Sequence, residues 1–201
     1  MLNHSQPGIS TILFDLGGVL YDINLRRTRD SLMLLAGRDI EFQLTTQDAV
    51  FDEFETGAIP PDVFRNRLRS LYGITADDTD IDAAWNALLI GMIPGRVELL
   101  RALKPQYRLA LLSNINPLHH ERIRSEVEEA FAEFEHCFLS YEMGLRKPDV
   151  RIFSRVLDTL GVAPQNLLFI DDSPQHIAAA ETLGIATYHV TPVQPLVGLF
   201  S

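Results

Sequence analysis

Four short segments of the 201-residue sequence place chemically capable side chains directly after apolar runs. In Ile12-Leu13-Phe14-Asp15-Leu16-Gly17-Gly18 a buried-type run ends in a carboxylate, and the two glycines allow a sharp backbone turn. A carboxylate placed there can attack phosphorus or hold a metal ion, and it can equally open an ordinary turn. Leu111-Leu112-Ser113-Asn114 offers a hydroxyl and following backbone N–H groups suited to phosphate oxygens, although the same residues also make polar turns. Gly144-Leu145-Arg146-Lys147-Pro148 puts Lys147 at the entrance of a helix that Pro148 suits. Lys147 then reads either as a point charge for a phosphate and a carboxylate or as a solvated lysine beside a capping proline. In Leu168-Phe169-Ile170-Asp171-Asp172-Ser173-Pro174 two adjacent acids end another apolar run. Ser173 as N-cap and Pro174 at the first helical position account for themselves, while the repelling acid pair favours a cation, and magnesium suits it.

These segments need elements to position them. The apolar runs Thr11 to Phe14, Leu109 to Leu112, Cys137 to Leu139, Leu167 to Ile170 and Ala186 to Val190 have the length of strands buried on both faces of a parallel sheet. Between them the apolar spacing is helical: Ile123, Val127, Ala130, Phe131 and Phe134 share one stripe, and Phe153, Val156, Leu157 and Leu160 another that ends at Gly161, a candidate C-cap. The alternation predicts an α/β fold, a Rossmann-like parallel sheet with helices on both faces, whose ligand crevice lies beyond the carboxyl ends of the strands. From Tyr21 to Ile93 no convincing strand is visible. Helical segments are expected there around Arg26 to Leu35, Thr46 to Phe54, Pro61 to Leu71 and Ile81 to Leu89. The expected organisation is a core of residues 1–20 and 94–201 with an all-helical cap, 21–93, inserted after the first strand.

The formal net charge of −10 disfavours nucleic acid and anionic membrane as partners, since binding a phosphate backbone needs clustered Lys and Arg. No apolar run approaches the roughly 20 residues that span a bilayer, and the start Met1-Leu2-Asn3-His4-Ser5-Gln6-Pro7 lacks the pattern of a secretion signal. The single cysteine, Cys137, reads as a small buried hydrophobe that forms no internal disulfide. These features together predict a cytoplasmic protein.

The four motifs taken together, in their order and spacing, resemble the haloacid dehalogenase-like (HAD) hydrolases along essentially the whole chain. The Phe-Asp-Leu-Gly of the first motif is similar to that of the small-capped sugar-phosphate phosphatases of the α-D-glucose-1-phosphate phosphatase type. The resemblance implies a magnesium-dependent phosphomonoester hydrolase acting on a small phosphorylated metabolite, with a sugar phosphate expected; a monomer or weak homodimer is expected of the chain. It makes Asp15 the nucleophile that becomes an aspartyl-phosphate, and Lys147 the residue that steadies it. Ser113 and Asn114 would bind the phosphoryl group. Magnesium would be held by Asp15, the backbone carbonyl of Gly17, and Asp172 with help from Asp171.

One departure matters. Most phosphatases of this superfamily carry a second Asp two residues after the nucleophile as general acid and base, and here that position is Gly17. Such groups contribute about 10²- to 10⁴-fold in rate, so esters with an easy leaving group, such as a sugar 1-phosphate, are expected. Asp22 is a candidate for the missing base. His176 stands where relatives often place Asp or Asn, and either orients a metal ligand or faces the surface; His119 and His120 are expected to be solvated. Two rival readings are a 2-haloacid dehalogenase-like hydrolase, which the Asp171-Asp172 pair disfavours, and a non-catalytic phosphate-binding or phospho-acceptor module, which the cap disfavours.

Overall fold

The computed structural model describes residues 8–42, 49–193 and 195–199. In chain order the elements are β1 (Thr11–Phe14), β2 (Tyr21–Ile23), α1 (Leu25–Ala36), α2 (Ala49–Glu55), α3 (Pro61–Tyr72), α4 (Asp78–Asn86), β3 (Leu89–Met92), α5 (Arg96–Leu103), β4 (Arg108–Ser113), α6 (Pro117–Phe131), β5 (His136–Leu139), α7 (Ser140–Met143), α8 (Val150–Leu160), β6 (Leu167–Asp171), α9 (Pro174–Glu181) and β7 (Ala186–His189). The expected parallel α/β sheet is present, with strand order β5-β4-β1-β6-β7 and every pairing parallel.

Because side chains alternate across a strand, each central strand feeds two cores. Ile12, Phe14, Leu109, Leu111, Leu168 and Ile170 pack on one face with α5 and α6, and Leu13, Ala110, Leu112, Leu167 and Phe169 on the other with α8 and α9. The near-continuous apolar runs that marked the strands follow from this burial on both sides. Leu196 and Leu199, from the tail, close the first of these cores. Gly161 ends α8 in the left-handed conformation, as its position after the apolar stripe suggested. That helix begins later than expected, at Val150 with Asp149 as its cap, because the Asp149 carboxylate accepts from the Arg151 N–H and Pro148 stays outside.

The helices of the 21–93 stretch form a third core around Phe51, Phe54, Phe64, Leu68 and Trp85, in which Phe54 and Phe64 stack at 4.0 Å and Phe51 and Trp85 at 5.2 Å. The expected helix from Thr46 is observed from Ala49, and residues 46–48 lie outside those described. The expectation that this stretch lacks strands is corrected: β2 and β3 pair antiparallel as a short ribbon, Tyr21 opposite Met92 and Ile23 opposite Leu89, where the chain leaves and re-enters the core. Three residues of β2 give no period to read, and the apolar residues of β3 follow directly on the stripe of α4, which ends at Asn86 rather than Leu89. Among the described residues no helix is long and apolar enough to cross a membrane.

Candidate active site

The strand order fixes where chemistry can occur. The chain runs from β1 outward to β4 and β5 on one side, then returns to β6 and β7 on the other, so β1 stands at the switch point where an open sheet leaves a crevice. The residues at and just beyond the ends of β1, β4 and β6 therefore meet: Asp15 from the first motif, Ser113 and Asn114 from the second, Asp171 and Asp172 from the fourth.

Lys147 joins them from the loop before α8. It is fully buried, and its Nζ donates to Asp15 Oδ1 at 2.7 Å, Asp171 Oδ2 at 2.7 Å and the Leu112 carbonyl at 2.9 Å, which uses all three ammonium protons. The Phe169 ring lies 5.4 Å from the ammonium. Asn114 fixes the main chain that delivers this lysine: its Oδ1 accepts from the Lys147 N–H and its Nδ2 donates to the Lys147 carbonyl, both at 2.9 Å. Both ends of its amide are committed to Lys147, and what remains to meet a phosphate is its backbone. Ser113 ends β4 as a buried hydroxyl facing the same cavity as Gly17 and Asn114.

Asp171 is fully buried and heavily bonded. Its Oδ1 accepts from the Ser173 N–H at 2.7 Å, and His176 Nδ1 lies 3.0 Å from each carboxylate oxygen. His176 thus orients the acid rather than facing the surface. Ser173 caps α9 without a side-chain hydrogen bond. Asp172 is exposed and rests against the loop after β1. Gly18, at φ +74°, is required there, because a Cβ at this position would lie 2.1 Å from Asp172 Oδ2.

One carboxylate oxygen from each of Asp15, Asp171 and Asp172 lies within 4.8 Å of the other two. Burial pushes the Asp15 carboxyl up to about 7, with the charges of Asp171 and Asp172 adding to the effect and Lys147 opposing it. Although Asp172 as a whole is exposed, desolvation of its carboxyl against the Gly18 loop, and then the charge of Asp171, raise it as well. Burial also disfavours the charge on Asp171, but Lys147 and His176 outweigh it and hold that carboxyl low. Three carboxylates against a single ammonium leave a surplus of negative charge in a confined place. The donor set is all oxygen, and a hard divalent ion fits it.

A cavity of about 110 Å³ opens beside these groups, lined by Gly17, Ser113 and Asn114 on the side of the strand tips and by Ile23, Leu88 and Leu89 on the other. Gly17 has no left-handed backbone, yet a Cβ there would meet Ile23 Cδ1 at 3.1 Å, so Ile23 occupies part of the room that a side chain at position 17 would need. Asp22, the candidate base, is exposed on β2 and does not line the cavity. His119 is buried rather than solvated. It stacks on Trp85 at 5.0 Å, both ring nitrogens are bonded, Nδ1 to the Asn116 Nδ2 amide and Nε2 to the Trp85 carbonyl, and burial lowers its pKa to about 4. His120 is half-buried against the Tyr141 hydroxyl at 2.9 Å. Cys137 is half-buried, with its thiol pushed up to about 11 by burial, in keeping with an inert residue.

Phe51 packs inside the helical core, Arg96 Nε donates to the Val19 carbonyl at 2.9 Å, and Glu55 lines the cavity with Oε2 2.9 Å from Arg146 Nε. Arg146, which also pairs with Asp52, was missed altogether. Its place beside Lys147 was the available signal. Gly57, at φ +70°, brings the same helical layer so near α7 that a Cβ would lie 2.3 Å from the Tyr141 carbonyl.

A family model described as haloacid dehalogenase-like hydrolase matches residues 9–184. A D-ribitol-5-phosphate phosphatase of Bacteroides thetaiotaomicron is 28% identical over 187 residues, covering 90% of this chain and 91% of its own. A sesquiterpene phosphatase of Aspergillus oryzae is 28% identical over 183 residues, covering 89% and 88%. Among solved structures, a HAD family enzyme from B. thetaiotaomicron in complex with magnesium and inorganic phosphate superposes with a TM-score of 0.85 at 35% identity, covering 96% of this chain and all of that one. The chain belongs to the haloacid dehalogenase-like hydrolase family.

Proposed function

We propose that this hydrolase is a magnesium-dependent phosphatase that removes the phosphoryl group from a small phosphomonoester through an aspartyl-phosphate at Asp15. The observation behind this reading is the buried Asp15–Lys147–Asp171 arrangement at the switch point of the sheet, with Asp172 completing an oxygen cluster. Lys147 holds Oδ1 of Asp15, which leaves the other oxygen to attack phosphorus as the bond to the alcohol oxygen breaks. The Ser113 hydroxyl and the backbone at Asn114 receive the phosphoryl oxygens. Water then attacks the phosphorus, releasing inorganic phosphate and regenerating the carboxylate. Asp15, the Gly17 carbonyl and Asp172, with Asp171 supporting, would hold magnesium, which would supply the positive charge that phosphoryl transfer needs.

Gly17 gives the departing oxygen no proton, and water does so instead; esters of good leaving groups are favoured. The names of the relatives support two kinds of alcohol. The Bacteroides relative, a D-ribitol-5-phosphate phosphatase, points to a polyol phosphate, and the Aspergillus relative, a sesquiterpene phosphatase, to a hydrocarbon one. A dehalogenase would gain nothing from Asp171 and Asp172 beside an anionic substrate. The test is phosphate release with and without magnesium over sugar phosphates, nucleotides and an aryl phosphate, beside Asp15→Asn. Magnesium-dependent release lost in Asp15→Asn is expected. Equal, slow release by both proteins would replace this reading with the binding module.

A further inference from the structure

The cavity next to the strand tips differs sharply from the cluster it adjoins. Beyond Gly17, Ser113 and Asn114, its wall is made of Ile23, Leu25, Leu88, Leu89, Ile115 and Ile123, contributed by the ribbon, the start of α1, the loop after β4 and α6. The polar side chains on that wall are already engaged. His119 has both ring nitrogens bonded, the Tyr21 hydroxyl donates to Glu126 Oε2 at 2.6 Å, the Asn114 amide is locked to Lys147, and the Glu55 carboxylate pairs with Arg146. His119 is also kept neutral by burial, so it adds no charge to the wall. Leu25 is 40% exposed, an apolar side chain left partly in water on the lining of a cavity that reaches the catalytic residues.

We propose that the alcohol half of the substrate is a small apolar one, a branched or unsaturated hydrocarbon of about the size the cavity admits, and that Ile23, Leu25, Leu88 and Leu89 select it. The proposal rests on the phosphatase reading above. A hydrocarbon entering this cavity leaves water for aliphatic contact and gains roughly threefold to fourfold in affinity per buried methylene. A polyol of equal length would bring hydroxyls against aliphatic walls whose polar neighbours have their own partners, and each hydroxyl left unmet costs about tenfold. Gly17 fits the same picture. With Ile23 packed where a side chain at 17 would go, the wall nearest the departing oxygen is apolar too.

The test compares two primary phosphate esters with five-carbon skeletons, 3-methylbutyl phosphate and D-ribitol 5-phosphate, by kcat/KM for magnesium-dependent phosphate release. An aryl phosphate serves as a check that the enzyme turns over. The expected result is a preference of at least about tenfold for 3-methylbutyl phosphate, narrowed by Ile23→Asn and by Leu25→Asn. Leu25 is partly exposed, so its variant keeps the test open should Ile23→Asn fail to fold. A preference for ribitol 5-phosphate, a ratio unmoved by either folded variant, or release from the aryl phosphate alone would overturn the proposal while leaving the phosphatase reading in place. Release from none of the three esters would instead overturn the phosphatase reading, and this inference with it.

Discussion

The strand-tip cluster and the cavity beside it are built on opposite physical terms. In the cluster, three carboxylates and a buried lysine are crowded at the ends of β1 and β6, and burial, with the neighbouring carboxylates adding to it, raises the pKa values of Asp15 and Asp172. In the cavity, aliphatic side chains face space and the polar groups among them are already paired. One region stores unmet charge for a metal and a phosphate; the other offers unmet apolar surface. The comparison teaches that a single chain can fix its reaction and its choice of alcohol separately, with Gly17 at the seam.

The largest way to break the cluster side is to remove its ammonium. Lys147→Met takes a hydrogen-bond donor from Asp15 and leaves Asp15 and Asp171 facing each other, so kcat should fall by about 10²- to 10³-fold. Steady-state phosphate release on an aryl phosphate reads the loss. An unchanged kcat would remove Lys147 from the chemistry.

The seam itself can be altered. Gly17 does not need glycine's backbone freedom, and Ile23 is what crowds the position. Gly17→Asp combined with Ile23→Ala should therefore place a carboxyl near the departing oxygen and raise kcat on alkyl phosphates by up to about 10²-fold. The gain on an aryl phosphate, whose leaving group needs no proton, should be small. Equal gains on both would show that the new acid acts on something other than the leaving group.

The surplus charge has a pH signature. The folded-state pKa of Asp15 lies above the ordinary carboxylate value, near 7, so the metal-free fold keeps a proton that the unfolded chain gives up. The stability this confers is complete below the ordinary carboxylate range and is lost as pH rises through about 7. Magnesium competes with that proton. The increase in Tm on adding magnesium should therefore be several degrees at about pH 8 and smaller at about pH 5.5, measured by calorimetry. A shift independent of pH would contradict the crowded-acid account.

The same contrast separates what was legible in the sequence from what was not. Asp15, Ser113, Asp171 and Asp172 each follow a run of apolar residues, and a run buried on both faces can be read locally; sheet topology then brings its ends together. The partners of those residues were harder. Asn114 was legible as a source of backbone N–H for phosphate, but not the use of its amide, which spends both ends on the Lys147 main chain, a pairing across 33 residues of sequence. His119 looked solvated at the start of an amphipathic helix, but Trp85 from the helical layer covers it. The cavity was illegible for a related reason. Its lining draws one or two residues each from β2, α1, β3 and α6, and an isolated Leu or Ile has no local pattern that distinguishes a substrate wall from a packed core.

The smallest expected effect concerns the leaving group alone. Without an acid at position 17, a sugar 1-phosphate should be hydrolysed several-fold faster than the corresponding 6-phosphate, although both should be poor substrates if the cavity selects hydrocarbon. The reverse ranking would sink the leaving-group argument and leave the apolar cavity untouched.

The central claim is that Asp15 forms a covalent bond to phosphorus. Acid-quenched single turnover, followed by mass spectrometry of the peptide containing Asp15, tests it most directly. The account predicts a phosphoryl adduct on Asp15 that builds up and then decays as phosphate appears, in wild type and not in Asp15→Asn. Phosphate released by wild type with no adduct at any time, together with turnover retained in Asp15→Asn, would contradict it.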